Sequence, residues 1–412
     1  MNSAAPKRLK LTGVLAGALV LLSVLASAYG KTYYEQARRA HDQRKFDEAI
    51  HLYTQAIEND KLDRARLRLV YCCRGMAWCA KGDYDLGITD YNRAIELDPK
   101  FAYAYQCRGV AWHDKGAFGK AIADYTRAIK LDPKYAYALR YRAMAWYATG
   151  AFAKAVADYT RLIKLDPKFA RTYRSRGMVR RAMGRYDKAL ADFSQAIELD
   201  PKFPCNYADR GSIWCAKGDF DKALADYNGL LKLDPRHENV HRLRGQMYFS
   251  CGKFADAAKD FHRALALQPD DERAAMWLYL AQRRTKNPAD KKLNAFASKY
   301  IKDRSVWRGA LFDFLSGRID AAKCLKAAEP QKPDLSDPKL SDDDKTARKA
   351  AHKKLRGEQL CEAYFFIAQY ELLRGRKNQA RKSFKKCLAT NVRDCFPYIS
   401  AKAELKRMGG ED

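Results

Sequence analysis

His237 and His241 stand one helical turn apart, with Glu238 beside the first, in the stretch HENVH. On a helix this spacing puts both imidazoles on one face, where they can share a zinc ion while the glutamate activates a bound water for hydrolysis. A third ligand is missing: Met247 stands where the metzincin pattern places a histidine, and Gly245 comes one residue late. The surrounding sequence gives a different account of these five residues.

HENVH follows one copy of a recurring segment. ELDPK from Glu96, KLDPK from Lys130, KLDPK from Lys164, ELDPK from Glu198 and KLDPR from Lys232 return every 34 residues, and ALQPD from Ala266 follows them. A fixed period of that length marks a solenoid. Within one unit, small residues at Gly109, Ala121 and Ala128 let two antiparallel helices approach, and Trp112, Phe118 and Tyr125 fill the gap between them. Gly116 ends the first helix and Pro133 stops the second. In this register His237 closes a turn between units, Glu238 opens the next first helix, and His241 takes the slot of Tyr105, Tyr173 and Tyr207, where it packs against a neighbour. HENVH then reads as a repeat junction, and zinc hydrolysis loses its only argument.

Charge keeps the same period. Arg74, Arg108, Arg142, Arg176, Arg210 and Arg244 share one first-helix slot, and Asp90, Asp124, Asp158, Asp192, Asp226 and Asp260 share one second-helix slot. Sets that repeat in step predict a ladder of Arg–Asp pairs between helices, a structural use of charge.

The whole chain, 412 residues with 47% hydrophobic and 31% charged, can fill a core and is too apolar for general disorder. Scarce glycine and proline beside abundant alanine, leucine, lysine and arginine favour helices and exclude an all-β fold. The first residues carry Lys7, Arg8 and Lys10, then an apolar run from Leu11, then Ala26-Ser27-Ala28 in the form signal peptidase accepts. This reads as an export signal at residues 1–28, cleaved after Ala28 or kept as an inner-membrane anchor, and places the protein in the periplasm. No cysteine follows the run, so it offers no lipid attachment site. Loss of residues 1–28 removes those three cations and leaves a net charge of +26 from the +29 of the full chain. Such a surface favours acidic proteins, envelope polymers or an anionic membrane surface, while export argues against nucleic acid. A solvated repeat surface explains the same charge.

The unit CRGVAWHDKGAFGKAIADYTRAIKLDPK from Cys107 closely resembles the tetratricopeptide repeat. The resemblance implies an all-α fold, a right-handed superhelical solenoid of helix-turn-helix units. About seven repeats and a lone first helix, ERAAMWLYLAQRR, occupy residues 29–284, the opening unit being degenerate and four residues out of phase. Residues 285–345 form an atypical helical segment and an exposed loop, PQKPDLSDPKLSDDDK, and residues 346–412 a last repeat with a capping helix, FPYISAKAELKRM. The order of signal, repeats, tryptophan-containing lapse, last repeat and AELKRMG ending is similar to that of the periplasmic new lipoprotein I family. That resemblance implies an envelope adaptor that brings together proteases and peptidoglycan hydrolases without catalysis of its own.

Of the 11 cysteines, Cys72, Cys73, Cys79, Cys107, Cys205, Cys215 and Cys251 fall on first helices without CxxC spacing, as small packing residues. Cys361 is expected to start a helix whose partner ends near Cys387, with Cys395 just beyond, and a disulfide between Cys361 and Cys395 is the expected pairing. In the resembled family, first helices line a concave groove. At the matching slots that surface holds Tyr103, Tyr137, Arg140, Met144, Tyr147, Arg171, Arg174, Met178, Arg181, Arg242 and Gln246. Arginine with tyrosine and methionine suits an extended peptide carrying acidic groups. No phosphate loop or nucleophile elbow is present, so the expected function is a non-catalytic adaptor that needs no cofactor or metal.

Overall fold

The computed structural model describes residues 32–409 apart from 238, 286–306, 316, 337–341 and 394. The expected export signal lies outside them. All regular structure among the described residues is helical. In chain order the helices are α1 Tyr33–Asp42, α2 Phe46–Asn59, α3 Arg64–Lys81, α4 Tyr84–Leu97, α5 Ala102–Asp114, α6 Phe118–Leu131 and α7 Ala136–Ala148. There follow α8 Phe152–Leu165, α9 Ala170–Ala182, α10 Tyr186–Leu199, α11 Pro204–Lys217, α12 Phe220–Leu233, α13 Val240–Ser250, α14 Phe254–Leu267 and α15 Glu272–Arg284. The last five are α16 Trp307–Leu315, α17 Ala321–Ala327, α18 Asp342–Leu373, α19 Lys377–Ala389 and α20 Phe396–Arg407. No described helix is long and apolar enough to cross a membrane.

Two compact units divide the chain, one formed by residues to Gly116 with Ala123–Pro133, the other by Ala117–Ile122 with Lys134 onward. The same local rules build both. In the first unit a Cβ on Gly109 would lie 2.6 Å from the Tyr125 ring, so only glycine lets α5 and α6 close on that aromatic. Gly116 ends its first helix at φ 76°, a left-handed conformation that costs glycine little.

The predicted ladder is present. In the first unit Arg74 and Arg108 grip Asp90 and Asp124 with two nitrogens each, at 2.7 to 2.9 Å. In the second unit Arg142, Arg176, Arg210 and Arg244 reach Asp158, Asp192, Asp226 and Asp260, each with one contact at 2.7 Å. A third partner escaped the sequence reading. In Arg74 and Arg108 of the first unit, the remaining guanidinium nitrogen donates to Thr54 and Asn92 of the preceding second helix. In Arg176, Arg210 and Arg244 of the second unit, it donates to Thr160, Ser194 and Asn228 in the same way. Each of these five arginines therefore ties its own helix pair together and ties it to the pair before.

In the second unit, α15 is buried on every side from Ala274 to Ala281, because the C-terminal helices supply the partner that a lone first helix lacks. Trp277 sits at the centre, 5.0 Å from the Phe365 ring and 5.1 Å from that of Phe249. The expected capping helix, α20, packs back on α13: Ser250 Oγ and Ser400 Oγ are 2.7 Å apart. Buried Glu404 accepts from Arg284 at 2.7 Å and lies 3.0 Å from Arg407.

Two expectations about this region are corrected. The helical lapse is broken into α16 and α17 around Gly317, at φ 76°. The last first helix begins not near Cys361 but at Asp342, so Cys361 lies inside a helix of 32 residues and the acidic DDDK run is helical. Asp344, 1% exposed, accepts from the Gly119 amide at 3.1 Å, capping the start of α6, where Ala117 offers no side-chain acceptor.

Candidate functional site

The residues expected to line a groove divide by what the fold does with them. First helices α7 and α9 hold equivalent slots in successive units: Tyr137 and Arg171, Arg140 and Arg174, Met144 and Met178, Tyr147 and Arg181. On α7, Tyr137 and Met144 are 42% and 40% exposed. Arg140 lies between them on the same face, its guanidinium 5.1 Å from the Tyr137 ring centre and 5.4 Å from that of Tyr141. Among the described residues no carboxylate forms an ion pair with Arg140. Tyr147 turns toward Phe152 at the head of α8, with ring centres 5.5 Å apart.

The corresponding side chains of α9 are mostly engaged. Arg174 Nε donates to Asp209 of α11 at 2.6 Å, and Arg181 lies 3.8 Å from the same carboxylate, so one aspartate joins two neighbouring first helices. Met178 packs against the cluster around Phe193. Arg171 stays exposed and lies over the Phe203 ring at 5.7 Å. An open surface that combines exposed apolar side chains with a cation lacking a carboxylate is thus concentrated on α7.

Arg242 and Gln246 depart from the sequence reading. Both lie on α13, whose face is covered by the C-terminal helices, and Gln246 is only 4% exposed. Arg242 pairs with Asp271 at 3.1 Å and donates to Asn239 at 2.6 Å. Burial pulls its guanidinium below the usual arginine range, with Asp271 opposing. These two residues belong to the packing between α13 and the C-terminal helices. Tyr103, in the first unit, is half-buried, with its hydroxyl 3.4 Å from Met76 Sδ. The Cys107 thiol beside it, together with burial, pushes its phenol well above the usual range.

HENVH has no shared metal face. Helix α13 starts at Val240, so His237 lies in the preceding turn with its amide donating to the Asp234 carbonyl at 3.2 Å. Glu238, expected to open that helix, lies outside the described residues. His241 is buried, with Nδ1 3.4 Å from Asp260 Oδ1, and packs beside the ladder as its slot predicts.

Models of the tetratricopeptide repeat match residues 75–116, 114–170, 170–203 and 211–277, the stretches that contain the paired helices and the ladder. These are tetratricopeptide repeats. Among solved structures, the C-terminal part of a tetratricopeptide repeat protein from Cytophaga hutchinsonii is 18% identical, with a TM-score of 0.50, over 60% of this chain and 99% of that one. The crystal structure of MamA is 26% identical over 39% of this chain and 94% of that one, with a TM-score of 0.38. YrrB, described as a repeat protein with an unusual peptide-binding site, is 20% identical over 45% of this chain and 95% of that one, with a TM-score of 0.38. No curated protein matches this sequence.

Proposed function

We propose that the chain is a non-catalytic scaffold of the bacterial cell envelope that binds an extended, acidic peptide segment of a partner protein across α7 and its neighbour α9. The tetratricopeptide repeats support a protein-interaction scaffold. The single observation that carries the site is Arg140, a guanidinium without a carboxylate, set between exposed Tyr137 and Met144. Such an arrangement gives a peptide aromatic and thioether area on both sides of a bidentate donor to its acid. Arg171, exposed at the next unit, offers a second cation. Envelope localisation rests on the basic, apolar and small-residue pattern of residues 1–28, and an adaptor role on the likeness of the chain's layout to the new lipoprotein I family.

The test is fluorescence anisotropy with acidic and neutral extended peptides, on wild type and on Tyr137→Ala/Arg140→Glu/Met144→Ala. Selective binding of acidic peptides that weakens about tenfold or more in the variant supports the site. Equal binding of anionic vesicles or polymer by both proteins, lost as salt rises, would replace it with a diffuse basic surface. Mass measurement of the exported chain decides between cleavage after Ala28 and retention of the segment.

A further inference from the structure

Cys361, Cys387 and Cys395 come from three successive helical elements and meet at one point. Cys361 Sγ lies 3.3 Å from Cys387 Sγ and 3.3 Å from Cys395 Sγ, so one sulfur stands within reach of two others. Cys361 and Cys387 are fully buried, whereas Cys395, the residue before α20, is partly exposed. The Cys387 thiol is oriented by two carbonyls, Cys361 O at 3.3 Å and Pro397 O at 3.7 Å. Other cysteines are held as inert packing residues: burial pushes the Cys73 thiol up to about 11 and those of Cys107, Cys215 and Cys324 up to about 12.

We propose that these three cysteines form a redox centre that takes up a single disulfide, always with Cys361 as one partner, and can pass it from the Cys361–Cys395 pair near the surface to the buried Cys361–Cys387 pair. The oxidant is an external disulfide. Cys395, as thiolate, attacks one sulfur of that disulfide and expels the other, which leaves as a thiolate and takes a proton. Cys361 then gives up its proton and attacks Cys395 Sγ, expelling the second external sulfur. The Cys361–Cys395 bond forms, and two electrons have passed from the pair to the external disulfide. In the exchange step Cys387 loses its proton and attacks Cys361 Sγ, and Cys395 leaves as a thiolate that is reprotonated. No electrons are gained or lost in that step. Burial holds the Cys387 thiol well above its usual range, which places its attack after the surface pair has formed.

The purified full chain is incubated with glutathione disulfide, alkylated and mapped by peptide mass. One disulfide per chain containing Cys361 is expected, with the linked peptides about 2 Da lighter than the reduced pair and the third cysteine alkylated. Cys395→Ser should confine the bond to Cys361–Cys387, and Cys387→Ala to Cys361–Cys395. Cys361→Ser should lose it altogether. Three thiols that stay reduced in wild type, a stable glutathione adduct on Cys395, or a Cys387–Cys395 bond would each overturn the proposal. Mapping of the wild type decides even where a variant fails to fold.

Discussion

Ser250 Oγ and Ser400 Oγ share a buried hydrogen bond of 2.7 Å across 150 residues of chain. Ser250 also donates to the Gln246 carbonyl at 3.0 Å, so the small hydroxyls let α13 and α20 approach closely without an unpaired polar atom at that point. Ser400→Leu should wedge them apart, at a cost of about 1–3 kcal/mol. Hydrogen exchange should speed up in α20 and on the covered face of α13, while α7 is unchanged.

Asp192 receives Arg176 at 2.7 Å and Arg180 at 2.8 Å and is 2% exposed. Asp192→Ala leaves two guanidiniums without their acceptor and should cost about 3–5 kcal/mol, as measured by urea denaturation. Ser194→Ala, which removes only the acceptor for Arg210, should cost about 1 kcal/mol. Equal costs would mean that the link between units matters as much as the ion pair within one.

Acid should not break the ladder first. Burial raises the carboxyl groups of Asp90, Asp124 and Asp226 above the ordinary aspartate value of 3.8, outweighing the arginine bonded to each. The folded state then takes up protons at a higher pH than the unfolded chain, so these groups contribute stability that is full below 3.8 and lost as pH rises through their folded values. Wild type should therefore gain stability relative to Asp124→Asn as pH falls from about 7 to about 4. A melting-temperature difference that moves the other way would show that Arg108 outweighs burial.

Arg44 occupies the slot held elsewhere by Gly116 and adopts φ 61°. A side chain in that conformation costs about 1–2 kcal/mol, which glycine avoids, although glycine gives back part of the gain through unfolded-state entropy. Arg44→Gly should raise stability by about 0.5–1 kcal/mol in thermal unfolding.

What could be read in the sequence was whatever repeats with a fixed residue type. Arginine and aspartate recur at invariant slots, so their pairing was visible. The acceptor from the preceding unit was not, because Thr54, Asn92, Thr160, Ser194 and Asn228 share hydrogen-bonding capacity but no common side chain. The early start of α18 was hidden because its first half is largely exposed and shows no apolar stripe, and acidic residues that favour a helix N-terminus also mark loops. Arg242 and Gln246 read as groove residues because their slots match Arg140 and Met144; their burial comes from helices far along the chain, which periodicity does not encode.

The double reach of the ladder arginines bears on how such a chain changes length. From Arg108, the aspartate lies 16 residues ahead and the acceptor in the preceding unit 16 residues behind. Excising or duplicating one whole 34-residue period preserves both offsets at the new junction, whereas a cut of any other length strands a guanidinium. Arg74 marks the exception, with its acceptor Thr54 20 residues behind and the surplus taken up in the link between α2 and α3. Recombination could thus add or drop interior modules in register, while the closure at Ser250 and Ser400 holds the final modules to a fixed copy number.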